Sequence, residues 1–356
     1  MNKELLDIYS DYLISQNQKS TATGLSKVLD GDISHDQITR FLNGKEFSSK
    51  QLWQYVKEQV RKNEEPEGAL VFDDTIEEKP YTNENDTVCW HHSHTKKAHV
   101  KGVNILSGLI RYGDVSIPIT FEIIRKDLCF CDLKDRKEKR RSSISKNELF
   151  RKMLCQSFKN KIMFKYVLAD SWFGAKKNME FIHHDLQKIF IFGMKSNRLV
   201  ALSENDRKKG RYQKISSLDI KDKEVKTVWL KGLSFPVQLL KRVFTNGKDH
   251  TGTLYLVTND LNIDASHIYS TYQKRWCIEE YHKSIKQNAS LEKSPTKVSR
   301  SQRNHIFASI IGYCKLEFLK LKTAMNHFAL KYKLIITANQ TAYKELRKMR
   351  KLQPTA

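Results

Sequence analysis

The stretch that decides the fold runs from Asp264 to Ala289, DASHIYSTYQKRWCIEEYHKSIKQNA. It predicts a helix of about seven turns, because Asp264 suits the N-cap and no glycine or proline follows. Four of its polar side chains are spaced three, four and seven residues apart: Tyr272, Arg275, Glu279 and Lys286. These offsets place side chains on one helix face. One carboxylate therefore lies between two cations, which fits either a solvated surface or a functional site.

The composition indicates a globular protein with a polyanionic partner. The chain has 356 residues, of which 39% are hydrophobic and 29% charged, and this length suits two or three domains. Its formal net charge of +23 is self-repelling unless a polyanion such as nucleic acid neutralises it. A ribosome-associated or generally basic protein is the alternative that composition leaves open.

The compartment is predicted to be the cytoplasm, without a membrane partner. The N-terminus, MNKELLDIYSDYL, lacks the pattern of a signal peptide, and no apolar run approaches the length of a membrane span. Six cysteines are scattered without a secreted disulfide pattern, which favours free thiols in a reducing environment.

Four regions are predicted along the chain. They are residues 1–62, a set of short helices; residues 63–68, a linker; residues 69–322, an α/β domain with a β-rich insertion at 196–262; and residues 323–356, a basic helical tail. Capping boxes are predicted at Ser34 and Ser145. The first region suits a helix-turn-helix that reads DNA, and a plain helical bundle fits the same residues.

The α/β domain is predicted from a change of hydrophobic period. Three apolar segments predict a strand meander: residues 69–72, 100–110 and 115–124. A strand–helix–strand unit follows in residues 164–192, so a mixed sheet with flanking helices is expected. The segment 129–142 is rich in lysine and arginine and is predicted to be a basic loop.

Two of these strands end in aspartate, and the aspartates are candidate metal ligands. Asp73 and Asp74 follow the first strand, and Asp170 follows the strand at 164–169. Brought together with Glu279, they would repel strongly unless a divalent cation neutralised them. Mg²⁺ prefers such oxygen ligands, and a pair of ions about 4 Å apart supports phosphodiester displacement. Strand alternation lets only one of Asp73 and Asp74 face the site, and both remain candidates.

These residues resemble those of the DDE transposases of bacterial insertion sequences. The resemblance is to the insertion sequence 4-like branch, marked by a Tyr-x2-Arg-x3-Glu-x6-Lys signature, which Tyr272, Arg275, Glu279 and Lys286 match at every spacing. Asp73-Asp74-Thr75 and Asp170-Ser-Trp-Phe resemble the other two acidic motifs of the family. The resemblance covers roughly residues 69–321, and the Asp-x-Thr pattern favours Asp73 over Asp74.

The resemblance implies an RNase H-like fold and a cut-and-paste DNA transposase. Asp73, Asp170 and Glu279 would bind two Mg²⁺ ions, with Mn²⁺ able to substitute, while Tyr272, Arg275 and Lys286 would contact phosphates near the transposon end. The implied partners are double-stranded DNA, both transposon ends and target, and a second copy of the chain in a homodimeric synaptic complex. The implied location is on DNA in the bacterial cytoplasm.

Two rival functions and several lesser sites remain. An RNase H-like structure-specific nuclease would cut without strand transfer, and a transposase-derived DNA-binding protein would have lost its chemistry. A zinc site at Cys89–His94 is disfavoured because its spacing matches no standard finger. Trp172 and Trp276 are expected to pack in the core, Trp276 anchoring its helix to the sheet, and Trp229 is a candidate acceptor for a flipped base.

Overall fold

The chain forms two compact units. The computed structural model describes residues 3–93, 96–133, 136–245, 247 and 251–351. The first unit, which we call the helical unit, comprises residues 1–54, 77–103 and 280–356. The second, which we call the sheet unit, comprises residues 55–76 and 104–279. This division differs from the four consecutive regions expected from the sequence, because the chain passes several times from one unit to the other. His94 and Lys134, in the predicted zinc and basic segments, lie outside the described residues.

Eleven α-helices are described. They are α1 Lys3–Ser15, α2 Ala22–Val28, α3 His35–Leu42, α4 Ser49–Lys62, α5 Lys146–Lys159, α6 Lys176–Glu180, α7 Glu204–Lys208, α8 Ala265–Gln273, α9 Cys277–Gln287, α10 Ser299–Thr323 and α11 His327–Lys351. Five of them (α2, α3, α5, α7 and α8) begin at a residue whose side chain caps the helix. The capping boxes predicted at Ser34 and Ser145 are confirmed, since each serine hydroxyl accepts a hydrogen bond from the N–H three residues later and Gln37 or Glu148 returns the bond.

The strands fall largely where the hydrophobic period predicts them. They are β1 Ala69–Glu78, β2 Cys89–Ser93, β3 Ala98–Tyr112, β4 Val115–Ile123, β5 Leu128–Asp132, β6 Lys137–Arg141, β7 Tyr166–Ala169, β8 Ile189–Met194, β9 Leu199–Ala201, β10 Gln213–Lys214, β11 Val225–Leu230, β12 Val237–Thr245 and β13 Thr251–Thr258. The prediction of a basic loop at 129–142 is wrong, because β5 and β6 pair there as an antiparallel ribbon.

Three parallel strands form the centre of the sheet unit. β1 pairs with β7 and β7 pairs with β8, both in parallel, so that Phe72 lies opposite Ala169 and Ala169 opposite Phe192. β3 lies beyond β1 and pairs antiparallel with β4. On the other side the order continues through β13, β12, β11, β9 and β10. The prediction of an α/β fold with a mixed sheet is confirmed.

Phe150 of α5 is the centre of an aromatic cluster that packs against the central strands on one face of the sheet. The Phe150 ring lies 4.9 Å from Phe72, 5.0 Å from Phe173 and 6.3 Å from Phe192, measured between ring centroids. All four side chains are fully buried. Phe72 immediately precedes Asp73, and Phe173 follows Asp170 by three residues, so this cluster holds the backbone next to both aspartates.

The helical unit buries polar side chains of α10 as well as apolar ones. Tyr9 of α1 hydrogen-bonds His305 Nδ1 at 2.9 Å, and His305 Nε2 lies 3.0 Å from the Ser290 carbonyl oxygen. Burial lowers the pKa of His305 to about 4, so the ring is neutral near pH 7. β2, which includes most of the disfavoured zinc segment, pairs antiparallel with Ala98–Gly102 of β3. None of the described helices combines the length and apolarity needed to cross a bilayer.

Truncation of Phe150 should destabilise the sheet unit. Phe150→Ala is expected to lower the free energy of unfolding by about 3–5 kcal/mol, because a fully buried ring leaves a cavity at the centre of the cluster. Phe158→Ala is the matched control on the same helix, since that ring is 47% exposed and its loss should cost less than about 0.5 kcal/mol. Urea denaturation measures both, and equal effects of the two variants would contradict this account of the core.

Candidate metal centre

The register of the parallel strands places two aspartates side by side. Phe72 pairs with Ala169, so Asp73 of β1 lies beside Asp170, the residue that follows β7. The predicted end of the first strand at residue 72 is wrong, because β1 continues past Asp73 to Glu78. Asp170 Oδ1 accepts a hydrogen bond from the Trp172 N–H at 2.9 Å, which fixes the carboxylate in the turn after β7. The parallel register thus brings two carboxylates together on neighbouring strands.

The Asp73 carboxyl has a raised pKa. Its side chain is 17% exposed, and burial, followed by the neighbouring charge of Asp170, raises its pKa to about 7, although Arg275 acts in the opposite direction. One Asp73 oxygen also accepts the Asp74 N–H at 2.8 Å. A half-protonated aspartate at neutral pH marks a site that lacks positive charge and would gain from a bound cation.

Glu279 and Arg275 reach Asp73 from the helical segment that follows β13. Arg275 Nη1 lies 3.2 Å from Asp73 Oδ2 and 3.3 Å from Glu279 Oε1, so the guanidinium bridges the two carboxylates. Ligand oxygens of Asp73 and Glu279 lie within 4.8 Å of each other. Burial alone would lower the pKa of Arg275, but Tyr272, Asp73 and Glu279 together raise it.

The single helix predicted from Asp264 to Ala289 is interrupted. The segment forms α8, a 3-10 turn at Lys274–Trp276, and then α9. The tighter turn contains Arg275, and Asp264 caps the start of α8 through a bond from the His267 N–H to its carboxylate at 2.9 Å. A continuous α-helix would place Arg275 and Glu279 differently relative to Asp73, and such changes of helix type often mark functional segments.

Asp74 faces the opposite side of the sheet from Asp73. Its Oδ2 accepts a bond from Asn104 Nδ2 at 2.8 Å, and its Oδ1 pairs with Lys146 Nζ at 2.8 Å. The same ammonium lies 4.6 Å from the centre of the Trp172 ring. Strand alternation therefore sends Asp73 towards Glu279 and Asp74 towards the start of α5.

Tyr272 lies against the same edge of the sheet as the acids. A Cβ atom built at Gly193 would come within 3.1 Å of the Tyr272 hydroxyl and of the Ser171 backbone nitrogen. Burial, and then the charges of Asp170 and Asp73 against that of Arg275, raises the pKa of this hydroxyl. The bare backbone of β8 thus lets Tyr272 approach the residues that follow β7.

Lys286 lies on α9 two helical turns after Glu279 and forms an ion pair with Glu292 at 3.2 Å. Both signature cations are therefore paired with carboxylates in the free protein, Arg275 with Asp73 and Glu279, and Lys286 with Glu292. A phosphate contact by either residue requires exchange of a protein carboxylate for a phosphate oxygen.

The expectations for the tryptophans are corrected in two cases. Trp276 is 63% exposed and Trp172 is 40% exposed, so neither packs in the core. The 3-10 turn orients Trp276 outwards, and Trp172 packs against Phe173 and Lys146 instead. Trp229 lies half-buried on β11.

Four residues of the site escaped sequence reasoning. They are Lys146, Asn104, Ser171 and Gly193. Lys146 and Asn104 are remote in sequence from Asp74, and no spacing pattern links them to it. Gly193 carried a usable signal, because a glycine inside an apolar strand suggests close approach of another group.

The donor set fits a divalent cation of the Mg²⁺ type. Asp73, Glu279 and Asp170 offer oxygen atoms only, which are the ligands that Mg²⁺ prefers. Arg275 already places a positive group between two of them, and the pKa of Asp73 nevertheless stays raised, first through burial and then through the charge of Asp170. Cation binding at this edge would relieve the repulsion among the carboxylates.

The pH dependence of stability should report on Asp73. Its pKa is near 3.8 when unfolded and about 7 when folded, so the folded state binds more protons between these values. Stability of the metal-free protein should therefore fall as the pH rises from about 4 to about 7, and should level off above. Asp73→Asn should flatten this slope, whereas Asp185→Asn, at an exposed aspartate of the same unit, should leave it intact.

Denaturation at a series of pH values measures the effect, and an unchanged slope in Asp73→Asn would refute the assignment. Mg²⁺ affinity, measured by calorimetry, should fall below pH 7 in the wild type because protons compete for the same carboxylate.

Comparison with known families agrees with this geometry. A family model described as DDE superfamily endonuclease matches residues 2–224, more than half of the 356 residues, and one described as Transposase DDE domain matches residues 141–315. No curated protein matches the chain. These domains imply nuclease-type activity, use of divalent metals and DNA as the partner. The chain belongs to the DDE superfamily of endonucleases.

Proposed function

We propose that the protein is a cut-and-paste transposase of a bacterial insertion sequence, in the insertion sequence 4-like branch, with an RNase H-like catalytic fold. The observation that carries the proposal is the placement of Asp73 of β1 beside Asp170, which follows the parallel strand β7, with Glu279 joined to Asp73 through Arg275. The complete Tyr272, Arg275, Glu279 and Lys286 spacing supports the branch. The net charge of +23 supports DNA as the polyanion.

Asp73, Asp170 and Glu279 would hold two Mg²⁺ ions, for which Mn²⁺ can substitute. The bound ions would activate the attacking oxygen and stabilise the leaving one during phosphodiester hydrolysis and the later strand transfer. The orientation of Asp73 towards Glu279 supports Asp73 over Asp74 as the first ligand. Asp74 would instead position the strand end through Lys146 and Asn104.

The signature side chains would exchange carboxylate partners for DNA phosphates. Arg275 bridges Asp73 and Glu279 in the free protein, and a cation bound by these acids would release the guanidinium towards a phosphate oxygen. Lys286 would leave Glu292 in the same way, and the Tyr272 hydroxyl would donate one hydrogen bond. DNA binding and cation binding are therefore expected to favour each other.

The first helices would contribute to DNA recognition. α3 exposes Gln37, Thr39, Arg40 and Asn43 along one side while Ile38 and Leu42 are buried, as a recognition helix requires. We place the protein on double-stranded DNA in the cytoplasm, as a homodimer that brings two transposon ends together.

Replacement of single carboxylates should abolish cleavage. Asp73→Asn, Asp170→Asn and Glu279→Gln should each lower the rate of DNA-end cleavage in Mg²⁺ at least about 100-fold, while affinity for end DNA is retained. Glu280→Gln is the matched control, because this neighbouring glutamate is exposed. Cleavage at the wild-type rate by Glu279→Gln would overturn the proposed chemistry.

A strand-transfer assay separates the transposase from a structure-specific nuclease. The wild-type chain should join a pre-cleaved transposon end, through its 3′-hydroxyl, to target DNA in Mg²⁺. Cleavage without joining would favour the nuclease, and DNA binding without either reaction would favour a transposase-derived binding protein.

Loss of a signature cation should weaken binding of end DNA in a salt-dependent way. Lys286→Ala is expected to reduce the slope of log affinity against log salt by about 1, because one phosphate contact is lost. Lys283→Ala on the same helix serves as the control, since its ammonium lies 4.9 Å from the Phe328 ring centre. An equal slope in Lys286→Ala and the wild type would contradict the phosphate role.

A further inference from the structure

The carboxylates of Asp73 and Asp170 each accept a hydrogen bond from one backbone N–H group. Asp73 Oδ1 accepts a bond from the Asp74 N–H at 2.8 Å, and Asp170 Oδ1 accepts one from the Trp172 N–H at 2.9 Å. The orientation of each carboxylate therefore depends on the backbone position of Asp74 or of Trp172. Any group that joins these two residues also couples the positions of the two acids.

Lys146, the first residue of α5, contacts the side chains of both residues. Its Nζ lies 2.8 Å from Asp74 Oδ1 and 4.6 Å from the centre of the Trp172 ring. The ion pair is shielded from solvent, since the side chains of Lys146 and Asp74 are 19% and 20% exposed. Salt screens such a pair only weakly. One ammonium thus links the two residues whose N–H groups hold the acids.

The position of Lys146 in its helix is electrostatically unfavourable. The N-terminus of a helix carries a partial positive charge, which favours acids in the first turn and disfavours cations. The rest of α5 follows this rule, with Glu148 in its first turn and Lys159 in its last. A residue that departs from a local preference often serves a contact elsewhere in the fold. For Lys146 that contact is with Asp74.

The next residue of α5 holds the turn after β7 from another side. Asn147 Oδ1 accepts a bond from Asn178 Nδ2 at 2.7 Å, and the same amide group donates to the Phe173 carbonyl oxygen at 2.9 Å. Asn178 is fully buried, so these bonds are protected from water. The backbone of this turn is thus tied to the start of α5, and Lys146 connects it to β1 through Asp74.

We propose that Lys146 is a positioning residue of the metal centre. By holding Asp74 and Trp172 together, it sets the separation of the two carboxylates whose orientation these residues control. Mg²⁺ demands a narrow range of ligand distances, so loss of this contact should lower the affinity for the ion. The inference rests on the proposed function, because it requires that these acids bind the cation.

Charge and position make opposite predictions for the loss of Lys146. Removal of a positive charge close to the acids would by itself favour the binding of a cation. Loss of a positioning contact instead weakens binding, because the carboxylates must then be ordered at the moment the ion binds. The direction of the change in Mg²⁺ affinity therefore separates the two effects.

Calorimetric titration of the full chain with MgCl₂, without DNA, measures this direction. Lys146→Met should raise the dissociation constant for Mg²⁺ at least about tenfold. Lys152→Met removes the same charge from an exposed position of α5 and should leave the constant unchanged. Unchanged or tighter Mg²⁺ binding by Lys146→Met overturns the proposal.

A conservative variant tests whether the contacts of the cation matter. The guanidinium in Lys146→Arg can still pair with Asp74 and lie over the Trp172 ring, so the dissociation constant for Mg²⁺ should stay within about threefold of the wild-type value. A loss as large as that expected for Lys146→Met would show that neither contact sets the affinity, and would overturn the proposal. This variant keeps the ion pair, so it remains informative even where Lys146→Met fails to fold.

A double-variant cycle tests whether Lys146 acts through Asp74. Asp74→Asn removes the ion pair, after which Lys146 no longer joins β1 to Trp172. Adding Lys146→Met should then weaken Mg²⁺ binding by less than about twofold further, because the two changes break one link. Independent losses that multiply would overturn this route. Loss of all Mg²⁺ binding in Asp74→Asn would make Asp74 itself a ligand and would also overturn it.

Cleavage kinetics distinguish positioning of the ion from contact with DNA. Lys146→Met should need at least about tenfold more Mg²⁺ for half-maximal cleavage, while the maximal rate and the affinity for end DNA stay near those of the wild type. Weaker DNA binding with unchanged Mg²⁺ affinity would make Lys146 a phosphate contact and refute the inference. A wild type that binds Mg²⁺ but does not join DNA ends refutes the transposase and not the role of Lys146. A wild type that does not bind Mg²⁺ refutes both.

Discussion

The parallel register between β1 and β7 is the constraint on which the rest of the structure depends. It places Asp73 and Asp170, both half-buried, side by side on neighbouring strands, and burial followed by the charge of Asp170 raises the pKa of Asp73. The hydrophobic residues before them, Phe72 and Ala169, keep the strands paired and buried. Stability of the core thus holds Asp73 and Asp170 together despite their repulsion, and Arg275 offsets part of the cost.

The arrangement separates two roles among neighbouring acids. The charge of Asp73 is only partly compensated, by Arg275. Asp74, one residue later, accepts hydrogen bonds from both Asn104 and Lys146. Because Lys146 also lies over the Trp172 ring, one ammonium connects the residue after Asp73 with the turn after Asp170. Asp74, with its partners Asn104 and Lys146, therefore lies on one face of the sheet. Asp73, with Arg275 and Glu279, lies on the opposite face.

Local signals predicted much of the fold. Buried strands such as β7 are continuous apolar runs, and the capping boxes at Ser34 and Ser145 mark helix starts through bonds within four residues. The β5–β6 ribbon was missed because both strands are largely exposed and β6 is mostly basic, so no buried apolar run marks the pair. The 3-10 turn at Lys274–Trp276 was also missed. It contains Arg275, whose contact with Asp73 joins residues far apart in the sequence and cannot be predicted from local helix propensity. The acids were predicted from the ends of apolar segments, although β1 continues past Asp73 to Glu78. The role of Lys146 became evident only in three dimensions.

Gly193 has a consequence for judging whether a copy of such a gene is active. The missing side chain forms a notch in β8, and the Tyr272 hydroxyl lies against it. Even alanine there would crowd both the tyrosine and the backbone beside Asp170. A copy could therefore keep every acid and every signature residue and still have Tyr272 or the backbone beside Asp170 displaced by a few tenths of an ångström through this one position. Inspection of motifs alone would classify such a copy as intact.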